Sequence, residues 1–122
     1  MEINAEFYKT EIGERVSDVI QQISLLLIAK CYAQIPADNI KTDLSDGWIS
    51  SMDEMLDNYS AKLLPLRPNE GSETSIIVET ADVFVVDAPL FHEEDGKAVA
   101  GDIHMIFEFG YNGTVNFEGV HY

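Results

Sequence analysis

The sequence predicts an α+β domain in which two N-terminal helices pack on a C-terminal antiparallel meander sheet. Three observations carry this. Apolar residues recur at helical spacing through about the first third of the chain, which is the signal of an amphipathic helix. After Ser60 the composition turns to Ile, Val and Phe, the residues that suit a pleated, half-buried surface. Asn112-Gly113 stands between two segments of strand character, a strong short-range hairpin signal.

Ile12, Val16, Val19, Ile20, Ile23 and Leu27 fall at spacings of three and four, so they share one helix face. From Ile23 to Ala33 the pattern is apolar nearly all round, as in a helix sandwiched in a core. Gly13 weakens the pattern and separates a short first turn from the main helix. The helix ends before Pro36, and residues 36–47 read as a polar connector. Ser45 or Asp46 caps a second helix near Gly47, with Trp48, Met52, Met55 or Leu56, and Tyr59 as its apolar stripe. Lys62 to Leu66, bounded by prolines, is at best an edge strand. Asn69 to Thr74 reads as a turn-rich loop. Ser75 to Phe91 is one bent strand or two short ones, broken around Thr80 to Asp82. Residues 92–101 read as a polar loop, and Ile103, Met105, Phe107 and Phe109 alternate as a half-buried strand. Ile20, Ile23, Leu27, Phe107 and Phe109 are expected to share one core. A cone-shaped sheet round a long helix, cystatin-like or NTF2-like, is one specific version of this layering.

The 122 residues are those of one domain, with 46% apolar residues and 24% charged, ordinary for a globular protein. The charge balance is unusual: 22 Asp and Glu against 7 Lys and Arg, a net charge of -15. That argues against nucleic acid, which needs cations to neutralise phosphates, and against anionic lipid. It favours a basic protein partner, toward which complementary charge steers association. No basic signal sequence opens the chain, and no apolar run approaches a membrane span of about 20 residues. A cytosolic protein is expected. The single cysteine, Cys31, can form no internal disulfide and reads as a buried, inert thiol.

No catalytic residue, metal ligand set or cofactor is assigned. His92-Glu93-Glu94-Asp95 is the only dense cluster, without a second histidine at ligand spacing. Phosphate-binding glycine loops are absent. The one pairing with acid–base potential is His104 with His121. A two-residue Asn112-Gly113 turn in simple register places these opposite each other, where they can join Asp87 or Asp102.

From Val86-Asp87-Ala88-Pro89-Leu90-Phe91 through His92-Glu93-Glu94-Asp95-Gly96-Lys97, the sequence resembles a family of small uncharacterised bacterial domains. There a strand ending Val-Asp-Val-Pro-Leu-Trp runs into an acidic Glu-Glu-Gly-Arg loop. Phe91 replaces the Trp, His92 a small polar residue and Lys97 the Arg, and the loop before Asp102 is longer. The resemblance implies the layout and transfers no catalytic residue. By type, the chain is similar to bacterial immunity proteins, such as those of contact-dependent growth inhibition. That likeness implies a protein that occludes a basic toxin domain, for which a nuclease is the natural example. The expected contact residues are Asp43, Asp46, Trp48, Asp53 and Asp57 in one segment and Asp87, Phe91, His92, Glu93, Glu94 and Asp95 in the other. The runner-up is a small NTF2-like enzyme or ligand-binding domain using a pocket between helix and sheet. Oligomeric state stays open.

Overall fold

Side-chain caps start the three α-helices among the described residues. The computed structural model describes residues 1–68 and 73–122. In it α1 (Ala5–Tyr8) is capped by Asn4, and α2 (Glu11–Ile28) by Thr10, which accepts from the Gly13 amide at 3.0 Å. Such caps satisfy amides that a helix start leaves without an internal partner. Gly13 lies inside the first turn of α2 and not between two helices. A Cβ there would collide with the Phe7 carbonyl and the Tyr8 backbone, so close packing of α1 on α2 explains the glycine.

Val16, Val19, Ile20, Ile23 and Leu27 are buried on α2, as their spacing predicts. Ile12 is 40% exposed and Leu25 50%, so α2 lies on one face of the sheet and is not sandwiched. It also stops well before Ala33. The Cys31 amide donates to the Leu26 carbonyl at 2.8 Å and the Lys30 amide to that of Leu27 at 3.1 Å. This is the Schellman stop, with Lys30 at φ 59° where glycine is usual. Pro36 therefore does not end α2; it sits within a 3₁₀ helix, Tyr32–Asp38. Cys31, expected to be buried, is half-exposed at that junction. The polar connector contains a strand, β1 (Ile40–Thr42). Ser45 then caps α3 (Asp46–Asp57), accepting from the Trp48 amide at 3.4 Å.

The remaining strands are β2 (Leu63–Leu64), β3 (Ser75–Glu79), β4 (Val83–Glu94), β5 (Lys97–Gly110) and β6 (Val115–His121). They form a sheet of order β1-β6-β5-β4-β2, with β3 also on β4. The meander from β3 to β6 is antiparallel, while β1 joins β6 in parallel, which makes the sheet mixed. The predicted break at Thr80 to Asp82 separates β3 from β4. Of the loop predicted at Asn69 to Thr74, residues 69–72 lie outside the described residues. The polar loop predicted at 92–101 is instead the closed end of the β4–β5 hairpin.

Phe84, Val86, Ala88 and Leu90 of β4 and Ile103, Met105, Phe107 and Phe109 of β5 are buried, and they join the α2 stripe in one core. The expected common burial of Ile20, Ile23, Leu27, Phe107 and Phe109 is found. Burial of each such large apolar side chain contributes about 1.5–3 kcal/mol.

The β5–β6 turn is longer than a two-residue hairpin. The Gly110 amide donates to the Thr114 carbonyl at 2.8 Å and that of Gly113 to Gly110 at 3.0 Å, the pattern of a three-residue loop. Phe109 accordingly pairs with Val115. A bulge then shifts the register back: Phe107 faces Phe117 while Ile106 faces Gly119, so Glu118 is the extra residue. His104 does oppose His121, through two irregularities that cancel.

Candidate functional site

The longest strands outrun their neighbours. β2 pairs with β4 only at His92 and Phe91, with one further bond from the Glu93 amide to Lys62, and β6 reaches β5 only from His104 onward. The far end of the β4–β5 hairpin is therefore a two-stranded arm, exposed throughout residues 93–99. Its turn is Asp95-Gly96, with φ 52° and 78°. Two successive positive φ values define a type I′ turn, whose twist matches the flanking strands. Glu93 pairs with Ala98 and Glu94 with Lys97. Among the described residues, the Glu93, Asp95 and Lys97 side chains make no hydrogen bond or ion pair.

An isolated two-stranded ribbon is marginally stable in water, so the base of this arm matters. Tyr59, just past α3, places its hydroxyl 2.7 Å from His92 Nδ1, and the Asp102 amide donates to the same oxygen at 3.2 Å. A consistent network has the Tyr59 hydroxyl donating to Nδ1, which leaves Nε2–H to face Glu94 at 3.5 Å. Gly101 is required here, because a Cβ would lie 2.8 Å from the Tyr59 oxygen and 2.7 Å from the Leu90 carbonyl. Phe91 is half-buried beside this base.

The other predicted acidic segment is not a free patch. Asp53 and Asp57 both bind the Lys30 ammonium, at 2.9 and 2.6 Å, and Asp53 also accepts from the Tyr32 hydroxyl at 2.8 Å. These carboxylates fasten α3 to the end of α2. Asp43 accepts from the Ser45 amide at 2.8 Å and shapes the entry to α3, while Asp46 is exposed in its first turn. Trp48 lies edge-on to Phe117, with ring centroids 5.9 Å apart, and covers Gly119. It is a half-buried lid on the core and no protruding anchor.

Asp87 belongs to a third place, the sheet face opposite α2. Its carboxylate meets His104 Nδ1 at 2.5 Å and His121 Nε2 at 3.3 Å, with the two rings 5.6 Å apart. Of the two acids considered for this pair, the fold supplies Asp87 and not Asp102. A carboxylate accepts, so His104 donates Nδ1–H to it and the ring is oriented with Nε2 as its basic atom. The cluster can move protons, but it lies on an open sheet face.

Neither family models, nor curated proteins, nor solved structures match this chain. No helix among the described residues is long and apolar enough to cross a membrane, and none of their His, Cys, Asp and Glu groups is arranged to hold a metal ion. A cavity of about 560 Å³ opens at the start of α2, lined by Ile12, Arg15, Phe84, Phe109 and Tyr111. The space directly between α2 and the sheet is filled by core side chains.

Sequence reasoning missed the arm, Tyr59 and the β3 edge. For the arm a signal existed: Asp-Gly is as good a type I′ hairpin signal as Asn-Gly. For Tyr59 there was none, since its partner is 33 residues away.

Proposed function

We propose that this chain binds a basic protein domain and blocks it in the manner of a bacterial immunity protein, acting in the cytosol on a cationic toxin such as a nuclease. The observation that carries the reading is the acidic arm, which sets Glu93, Glu94 and Asp95 beyond the body of the sheet on a hydrogen-bonded base. Carboxylates held on a scaffold at a hairpin tip fit a cleft better than carboxylates spent on internal ion pairs. A nuclease cleft presents Lys, Arg and His to phosphate, and an inserted acidic ribbon offers those groups an alternative anion. The net charge of -15 adds long-range attraction, which raises the association rate.

The test uses as partner a cationic domain whose gene neighbours that of this chain, and a neighbourhood without one already counts against the reading. Co-expression is expected to protect cells from that domain. Glu93→Lys with Glu94→Lys is expected to slow association several-fold at low salt and much less at high salt, where screening removes the steering. Absence of both protection and a complex overturns the reading. A second reading, a small NTF2-like enzyme or ligand-binding domain, has the cavity at the start of α2 in its favour. It predicts activity that survives reversal of the arm.

A further inference from the structure

Strand β3 is an edge with few of the usual defences. It pairs with β4 on one side, and among the described residues no strand takes the other. The outward N–H and C=O groups of such an edge are a template for an incoming strand, which proteins commonly blunt with Lys, Pro or a covering segment. β3 reads Ser75-Ile76-Ile77-Val78-Glu79 and has neither Lys nor Pro. Its one irregularity is a bulge at Ile77, where Ile77 and Val78 together stand opposite Val85. Both side chains are half-exposed, at 52% and 50%, more than any other large apolar side chain in the described strands.

The surroundings are acidic. Glu79 closes the strand, holding the N-terminal ammonium at 2.7 Å and the Tyr111 hydroxyl at 3.0 Å. Asp82 is exposed in the following turn, and Asp87, the strand partner of Ser75, is already held by His104 and His121.

We infer that β3 is a docking edge for an extended basic strand of a partner protein. The inference rests on the reading of this chain as a receptor for a basic protein and supplies a mode of contact for it. Strand addition gives affinity through backbone bonds and specificity through alternate side chains. A strand that alternates Lys or Arg with apolar residues covers Ile77 and Val78 and brings a cation to Asp82, the flanking acid that has no ion pair among the described residues. A second copy of this chain would instead bring a further -15 charges to the same place, and like-charge juxtaposition opposes that pairing.

The experiment titrates the isotope-labelled full chain with a short peptide alternating Lys and Val, and reads hydrogen exchange amide by amide. Amides within 75–79 are expected to exchange about tenfold slower or more. Ile77→Lys with Val78→Lys is expected to abolish that protection, while unchanged exchange in β5 certifies the fold. A control peptide of equal charge with proline at alternate positions, unable to pair as a strand, is expected to protect nothing. Protection that arises without peptide and grows with chain concentration assigns the edge to a second copy and overturns the proposal. Perturbation confined to 93–98, or none at all, also overturns it. The basic-partner reading then stands or falls separately, on whether the cationic domain itself binds.

Discussion

Lys30 shows how one residue joins three segments. Its left-handed φ of 59° costs roughly 1–2 kcal/mol for a side chain with a Cβ, and the conformation persists because it aims the ammonium at α3. Burial works against the Lys30 charge, but hydrogen bonds to Asp57 and Asp53 outweigh it and hold the pKa above its ordinary value. Burial, reinforced by the bond to Asp53, pushes the Tyr32 phenol to about 12. Lys30 and then Tyr32 hold Asp53 below the usual carboxylate range. The signs follow from linkage. The Asp53 contribution is present above the ordinary carboxylate pKa of about 4 and is lost as pH falls through the lower folded value. Those of Lys30 and Tyr32 are present below their ordinary values of about 10 and are lost as pH rises through the folded ones. Asp53→Asn is therefore expected to lower Tm modestly near neutral pH, with the gap to the parent closing in acid. A gap of constant size across that range, followed by circular dichroism, would assign the effect to packing instead.

Among the elements, β6 turns on one glycine. Gly119 has φ 115° at the bulge, and a Cβ there would lie 3.1 Å from Trp48 Nε1. Gly119→Ala combines backbone strain with that contact and is expected to destabilise the domain by about 1–3 kcal/mol. It should also disturb the His104–His121 pairing, because the bulge is what brings these rings opposite each other. Denaturant unfolding, with the imidazole resonances as a local readout, checks both effects. A loss under about 0.5 kcal/mol with the resonances unmoved would mean that the bulge relaxes freely. The two hairpin dipeptides make the same point about locality. Asp95-Gly96 forms the two-residue type I′ turn, whereas Asn112-Gly113 is part of a three-residue loop.

At the scale of the molecule, charge is in excess. Of 7 Lys and Arg, Lys9, Lys30 and Arg67 already sit in internal ion pairs, so most carboxylates among the described residues repel one another without a cationic partner. Compaction of such a chain carries an electrostatic cost that salt screens. Adding salt at neutral pH is thus expected to raise Tm, on the order of a few degrees for a domain of this size. A Tm that falls with salt would show that the surface ion pairs outweigh the repulsion. The same screening weakens association with a basic partner, so stability and on-rate should move in opposite directions with ionic strength.

The α+β class, the α2 stripe, the Ser45 cap, the edge character of β2 and the alternation of β5 were all legible in the sequence. Each depends on periodicity or capping, which act over a few neighbouring residues. Where α2 stops was not legible, because the stop uses Lys30 in place of glycine and is stabilised by carboxylates from α3. Nor was the fate of the acids: Asp53 and Asp57 look as free in sequence as Glu93 and Asp95, and only the approach of Lys30 separates them. The arm and the open β3 edge are defined by where neighbouring strands end, and strand pairing is a long-range property. His104 and His121 could be paired from the sequence only because a longer turn and a bulge offset each other. Net charge and core composition belong to the residues themselves; which carboxylates, ring atoms and strand edges remain available to a partner was decided by tertiary packing.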